Sequence, residues 1–281
     1  MKVAAIQMVS SADLQDNLTQ AGALLAQAAE QGAELAVLPE YFCMIGQSDA
    51  DKLRIQEPYA AAPLQTATQA AQPMQTFLAE TARKLGLWIV AGTLPISSTD
   101  PERVFNSSLA YNPQGECVAR YDKIHLFRFD NGTERYDESR VLDRGDAPRV
   151  FALPSKDGHT WQVGMSVCYD LRFAELYRGY ATQGADLLLV PAAFTHTTGQ
   201  AHWEILLRAR AIENLSYVVA AAQGGVHPNG RQTWGQSMVI DAWGKVLASQ
   251  AQGSGVVVAD IDAAQMAKQR LQLPALQHRL L

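Results

Sequence analysis

The chain has 281 residues, 48% hydrophobic and 18% charged, enough for a sizeable core, and its 23 basic against 28 acidic residues give a net charge of −5, without the basic footprint of a nucleic-acid binder. No stretch reaches the ~18 apolar residues of a membrane helix, and the longest candidate, 187–194, is interrupted by Pro191. Three widely spaced cysteines, Cys43, Cys117 and Cys168, form neither a disulfide framework nor a metal box, so the sequence reads as that of a reduced, cytoplasmic protein.

At the amino end Gln7 interrupts the apolar run of MKVAAIQM and a polar stretch follows, which predicts a buried strand over 3–8 rather than a secretion signal. Leu18, Ala21, Leu24, Leu25 and Ala28 recur at helical spacing up to Gly32, which predicts a helix. Strands follow at 35–38 and 87–92 with a helix at 74–84 between them. Further strands are predicted at 161–167, 187–190, 217–222, 237–240 and 255–261, with helices at 171–182 and 201–215. Such alternation favours an α/β architecture, and no low-complexity linker divides it.

The sequence echoes itself. QGAELAVLP at 31–39 returns as QGADLLLVP at 183–191, and SLAYNPQG at 108–115 returns as SMVIDAWG at 237–244. The second pair reads as hairpins, with Asn112 or Asp241 and then Gly115 or Gly244 supplying the turn. Two echoes in the same order suggest a duplicated half-domain. Two such halves, packed sheet against sheet, give a cross-section of helix, sheet, sheet, helix.

The segment WQVGMSVCYDLR at 161–172 runs from a predicted strand into a predicted helix. Cys168 therefore stands at the carboxyl end of a strand, where open α/β sheets place ligands. It is also close to a helix N-terminus, whose dipole and free N–H groups lower a thiol pKa and hold an oxyanion. The competing reading is a buried structural cysteine. Ser166 is no rival nucleophile, because the serine elbow G-x-S-x-G requires glycine where Cys168 stands. Glu40 ends the first echo strand after Pro39, beside Tyr41, Phe42 and Cys43. A partly apolar pocket there would raise its pKa for general-base work; taken alone, it also fits a solvated surface glutamate. Lys123 fits either an edge-strand surface lysine or a fixed cation for an oxyanion. Glu138 carries the faintest signal, in a loop crowded with acidic residues. Pairing Cys168 with His196 or His202 would give a Cys–His site, but the histidines fit capping or packing roles, lack the spacing of a zinc pair, and no phosphate-binding glycine loop is present.

Together these segments resemble the nitrilase superfamily, whose signature is a Glu-Lys-Cys triad. LPE at 38–40, YDKIHLF at 121–127 and SVCYDLRFAEL at 166–176 match its three motifs in order, and the resemblance covers essentially the whole chain. It implies an α/β fold, a four-layer α-β-β-α sandwich forming one carbon–nitrogen hydrolase domain over 1–281, dimerised across helical faces, with no cofactor or metal and with a small-molecule amide as substrate. Neither nucleic acid nor a membrane is an expected partner. Catalytic roles are implied for Glu40, Lys123 and Cys168, with Glu138 as the auxiliary glutamate. Cys168 would form a thioester, releasing ammonia and then the acid, with Lys123 and the Tyr169 backbone N–H holding the oxyanion. Residues 191–214 look most like amidases acting on deaminated glutathione and on ω-amides of 2-oxo acids. Thr195 after Ala-Phe, and Ala-Ala-Gln-Gly at 221–224, lean toward the first. Phe194 and Thr195 join Tyr169 and Arg172 as expected substrate-binding residues, although Arg172 equally fits an internal salt bridge. Ala174 replaces a proline frequent in the cysteine motif, outside any catalytic role. The triad alone leaves nitrilase and carbamoyl-amide hydrolase chemistry open, and a non-enzymatic binding role would not require all three residues.

Overall fold

Alternating burial along the first strand sets the layering. In the computed structural model, which describes residues 1–60 and 71–280, β1 (Lys2–Gln7) turns Val3 and Ala5 to one core and Ala4 and Ile6 to another, as the two-residue period of a strand dictates. The chain continues through α1 (Leu14–Glu30), β2 (Leu35–Val37), the short α2 (Asp51–Arg54), α3 (Pro73–Leu85), β3 (Trp88–Val90), β4 (Leu94–Ser97), β5 (Val104–Tyr111) and β6 (Cys117–Asp122). A small hairpin of β7 (Arg128–Asp130) and β8 (Arg135–Asp137) precedes β9 (Leu142–Asp143). The later part runs β10 (Arg149–Pro154), β11 (Thr160–Met165), α4 (Ala174–Thr182), β12 (Leu187–Leu189), α5 (His196–Asn214) and β13 (Tyr217–Ala220). After the hairpin β14 (Gly224–Val226) and β15 (Gln232–Trp234) come β16 (Ser237–Ile240), β17 (Val246–Gln250), β18 (Gly255–Asp260) and α6 (Ala263–Gln272).

The two sheets repeat one plan. In the first, parallel β1, β2 and β3 lie between antiparallel β18 and β5. In the second, parallel β11, β12 and β13 lie between antiparallel β10 and β16. The echoed hairpins β5–β6 and β16–β17 each slip register once, at Ala110/Tyr111 and at Val239/Ile240. Their turns are built alike: Asn112 Oδ1 accepts from the Gln114 and Glu116 N–H groups, and Asp241 Oδ1 from those of Trp243 and Lys245. Gly115 and Gly244 take φ of +78° and +81°, a region that favours glycine. The sequence echo is thus a structural duplication.

Val3, Ala5, Leu35 and Val37 meet Val163, Leu187, Leu189 and Val219 in one core between the sheets. Leu18, Ala21 and Leu25 of α1 with Leu78 and Ala82 of α3 cover the outer face of the first sheet. Tyr177 and Tyr180 of α4 with Trp203 and Leu207 of α5 pack on the second. The layers are α-β-β-α, as expected. Among the described residues no helix is long and apolar enough to cross a membrane.

Helix boundaries shift for local reasons. α1 starts at Leu14, ahead of the apolar stripe, because the Asp13 side chain accepts from the Asp16 N–H and caps it. α5 starts at His196, five residues before its predicted start. The predicted helix at 171–182 divides into a 3-10 turn at Cys168–Arg172 and then α4, because the Asp170 carboxylate accepts from the Val167 N–H and tightens the first turn.

Candidate active site

The two echoed prolines bring the site together. Pro39–Glu40 leave the carboxyl end of β2 and Pro191–Ala193 that of β12. Glu40 Oε2 accepts from the Ala193 N–H at 2.9 Å, and the Cys168 N–H donates to Pro191 O at 2.9 Å. Gly92, just past β3 with φ +59°, presses its backbone against this corner. A Cβ there would lie 2.0 Å from Pro39 O and 2.6 Å from Leu38 O, closer than atoms can approach.

Glu40 is 1% exposed and Lys123 not at all. Lys123 Nζ donates to Glu40 Oε1 at 2.9 Å, to Glu138 Oε1 at 2.9 Å, and lies 2.8 Å from Glu138 Oε2. Burial alone would drive the ammonium to its neutral form, but Glu138 and then Glu40 outweigh it, holding the Lys123 pKa well above its ordinary value. Glu40 meets donors on both oxygens, since Asn106 Nδ2 also donates to Oε1 at 2.9 Å. The apolar surroundings expected of Glu40 are therefore a ring of hydrogen-bond donors. Glu138 opens a 3-10 turn (Glu138–Arg140), where it accepts from Tyr41 Oη at 2.9 Å and from the Phe127 N–H at 2.7 Å.

Cys168 is 7% exposed and takes φ +52°, a left-handed conformation costing a side-chain-bearing residue about 1–2 kcal/mol. Tyr41, next to Glu40, is held at φ +57°, with its N–H bonded to Thr93 Oγ1 at 2.9 Å. The expectation that a helix N-terminus lowers the Cys168 pKa is overturned. The thiol begins a short 3-10 turn rather than an α-helix, its own N–H is taken by Pro191, and burial, followed by the negative charge of Glu40, pushes its pKa well up against the pull of Lys123. A thiol so placed keeps its proton until a base removes it, and Glu40 is the adjacent carboxylate. The Tyr169 N–H has no hydrogen-bond acceptor among the described residues.

Several supporting residues escaped sequence reasoning. Asp170, fully buried, ties the lysine segment to the cysteine turn: Oδ2 accepts from Tyr121 Oη at 2.7 Å, and Oδ1 from the His125 N–H at 3.0 Å with His125 Nδ1 at 2.7 Å. Gln223 Nε2 donates to Ser10 Oγ at 2.8 Å and to Glu40 O at 3.1 Å. Tyr121, His125 and Asp170 all lie inside the resembling motifs, and Gln223 inside the Ala-Ala-Gln-Gly segment at 221–224, which is their available signal; Asn106 reads as an ordinary polar residue. Ser166 is engaged with Tyr177 Oη and Leu189 O, both at 2.7 Å. His196 packs edge-on against Trp234, and His202 Nδ1 lies 3.3 Å from Arg172. Neither histidine has a hydrogen bond to Cys168.

The four expected substrate-binding residues do converge. Tyr169, Arg172, Phe194 and Thr195 line a small cavity with Cys168, about 210 Å³ including its open mouth, to which Phe127 and Thr198 contribute. Arg172 has no acidic partner among the described residues; its guanidinium lies 5.7 Å from the Tyr169 ring and 5.5 Å from that of Phe194. The bracing salt bridge is therefore absent, leaving a cation at the cavity wall. Among the described residues, no group of three or more His, Cys, Asp or Glu is arranged to hold a metal ion. An acid–base carboxylate, a fixed ammonium and a protonated thiol can together support covalent acyl transfer.

Comparison with known proteins agrees with this chemistry. A carbon–nitrogen hydrolase family model matches residues 2–271. A deaminated glutathione amidase from Synechocystis sp. is 39% identical over 99% of this chain and 97% of its own length. An omega-amidase of Homo sapiens is 34% identical over 99% of this chain and 94% of its own. Among solved structures, an amidase variant from Nesterenkonia sp., carrying the acetamide moiety of fluoroacetamide covalently added at its active-site cysteine, is 28% identical. It superposes with a TM-score of 0.79 over 100% of this chain and 94% of that one.

Proposed function

The chain belongs to the carbon–nitrogen hydrolase family and is an amidase, and from that premise we propose that it cleaves a carboxylate-bearing amide, foremost deaminated glutathione, through a thioester on Cys168. Glu40 takes the thiol proton as sulfur bonds to the amide carbon. Lys123 and the Tyr169 N–H stabilise the oxyanion. Glu40 returns the proton to nitrogen as the C–N bond breaks, then activates the water that releases the acid and restores the thiol. With a primary ω-amide the departing amine is ammonia; with deaminated glutathione, whose scissile nitrogen belongs to cysteine, it is the dipeptide. Glu138 holds Lys123 in place, while Arg172, with Phe194 and Thr195, receives the acyl part and its carboxylate.

The observation that carries this reading is the convergence of Glu40, Lys123 and Glu138 through buried bonds of 2.8–2.9 Å beside Cys168. The relative acting on deaminated glutathione supports the first substrate, and the omega-amidase supports a 2-oxo-acid ω-amide as the second reading. The same reading treats residues 1–281 as one domain acting in the cytoplasm as a homodimer. Ile205 and Ile212, exposed at 71% and 48% on α5, support pairing through a helical face.

Both substrates yield 2-oxoglutarate, so one assay compares them. A higher kcat/KM for deaminated glutathione than for α-ketoglutaramate is expected. The reverse order selects the ω-amide reading, and no product from either overturns the substrate class.

A further inference from the structure

A second cavity adjoins the one holding Cys168. It is lined by Tyr41, Asp49, Lys52, Arg135, Tyr136 and Arg231 among others, and is about 900 Å³ including its open mouth. Its titratable wall carries three cations against one carboxylate, and these are unequally committed. Lys52 pairs with Asp49 and lies 4.7 Å above the Tyr41 ring. Arg135 is exposed, 3.6 Å from Asp130. Arg231 has no carboxylate within ion-pair distance among the described residues. One of its terminal nitrogens donates to Ala193 O at 3.3 Å, and its plane lies 5.4 Å from the Tyr136 ring. Its Nε is buried without a hydrogen-bond partner among the described residues. A buried N–H with no acceptor is costly, and the guanidinium edge formed by Nε and a terminal nitrogen is the one that takes a carboxylate bidentately.

The side chain projects from a braced hairpin. The Arg231 N–H donates to Asn229 Oδ1 at 2.9 Å and its carbonyl accepts from the His227 N–H at 2.9 Å. The buried His227 ring is tied to Ser10 O at 2.9 Å and Thr233 Oγ1 at 2.8 Å.

Ala193 and Tyr41 connect the two cavities. Ala193 lines the Cys168 cavity, gives its N–H to Glu40 and offers its carbonyl to Arg231; Tyr41 lines the second cavity and follows Glu40 in the chain. The amide nitrogen must reach Glu40 to be protonated, so whatever that nitrogen carries departs on this side. We propose that this cavity is the leaving-group subsite, and that Arg231 binds a free carboxylate on the departing amine. The substrate class is then an acylated amino acid or short peptide with a free carboxy terminus, rather than a simple primary amide. This inference rests on the amidase reading above.

Three substrates and one variant test it: deaminated glutathione, the same compound with its terminal carboxylate converted to a carboxamide, and α-ketoglutaramate, followed by 2-oxoglutarate release. In the unaltered enzyme, the carboxamide should lower kcat/KM by about ten- to hundredfold relative to deaminated glutathione, a comparison that needs no folded variant. Arg231→Ala should lose a similar factor on deaminated glutathione beyond any loss on α-ketoglutaramate, and should no longer discriminate between carboxylate and carboxamide. Equal rates for the two in the unaltered enzyme, or equal losses on every substrate in the variant, overturn the subsite assignment and leave the amidase reading intact. Absence of turnover on all three overturns the substrate reading, and this inference with it.

Discussion

Lys123 Nζ donates to Glu40 Oε1 at 2.9 Å across 83 positions of sequence, and neither side chain is more than 1% exposed. The ammonium is balanced by two carboxylates, Glu40 and Glu138, and the bond fixes Glu40 at the thiol. On the proposed mechanism, a buried cation shared in this way acts on stability as well as chemistry.

Lys123→Ala would strand both carboxylates and is expected to destabilise the fold by about 3–5 kcal/mol, measured by chemical denaturation; a loss below about 1 kcal/mol would contradict the account. Because the folded pKa of Lys123 is raised, its stabilising contribution is fully present below the ordinary value of 10.5. It is lost only as pH climbs through the higher folded value. Neutral and mildly alkaline solutions should therefore leave this contribution unchanged.

The Cys168 thiol should remain protonated through pH 9, because burial and then the Glu40 charge raise its pKa. Carbon-13 shifts of labelled cysteine Cβ atoms, with the Cys168 signal assigned by Cys168→Ala, report this directly. A thiolate shift for Cys168 near neutral pH would show that the site relies on a preformed thiolate rather than on Glu40 as base.

Gly92→Ala tests how the fold aims Glu40. The added methyl meets Pro39 O and Leu38 O, and the positive φ disfavours a side chain. A destabilisation of about 1–3 kcal/mol is expected, together with a fall in kcat as Pro39 shifts the neighbouring carboxylate. Unchanged stability and kcat would show that this corner tolerates displacement.

The parts of the site legible in the sequence were those with a periodic or repeated context. The echo places Glu40 at a strand end, and the predicted strand-to-helix junction marks Cys168. What was not legible depends on long-range convergence. Asn106 is one buried polar residue in β5, and only the fold brings its amide to Glu40. Arg231 sits in a polar hairpin tip, yet reaches Ala193 across 38 positions. The sequence misleads on the thiol pKa because it places Cys168 close to the N-terminus of a helix predicted over 171–182. A 3-10 turn stands there instead, and burial outweighs the favourable influence of Lys123.

The central claim is the acyl bond to Cys168. Acid-quenching the enzyme during turnover of deaminated glutathione, followed by peptide mass mapping, should find a 2-oxoglutaryl thioester on the peptide containing Cys168. Cys168→Ala should abolish both the adduct and turnover. An acyl group on another residue, or turnover that persists in Cys168→Ala, would contradict the account.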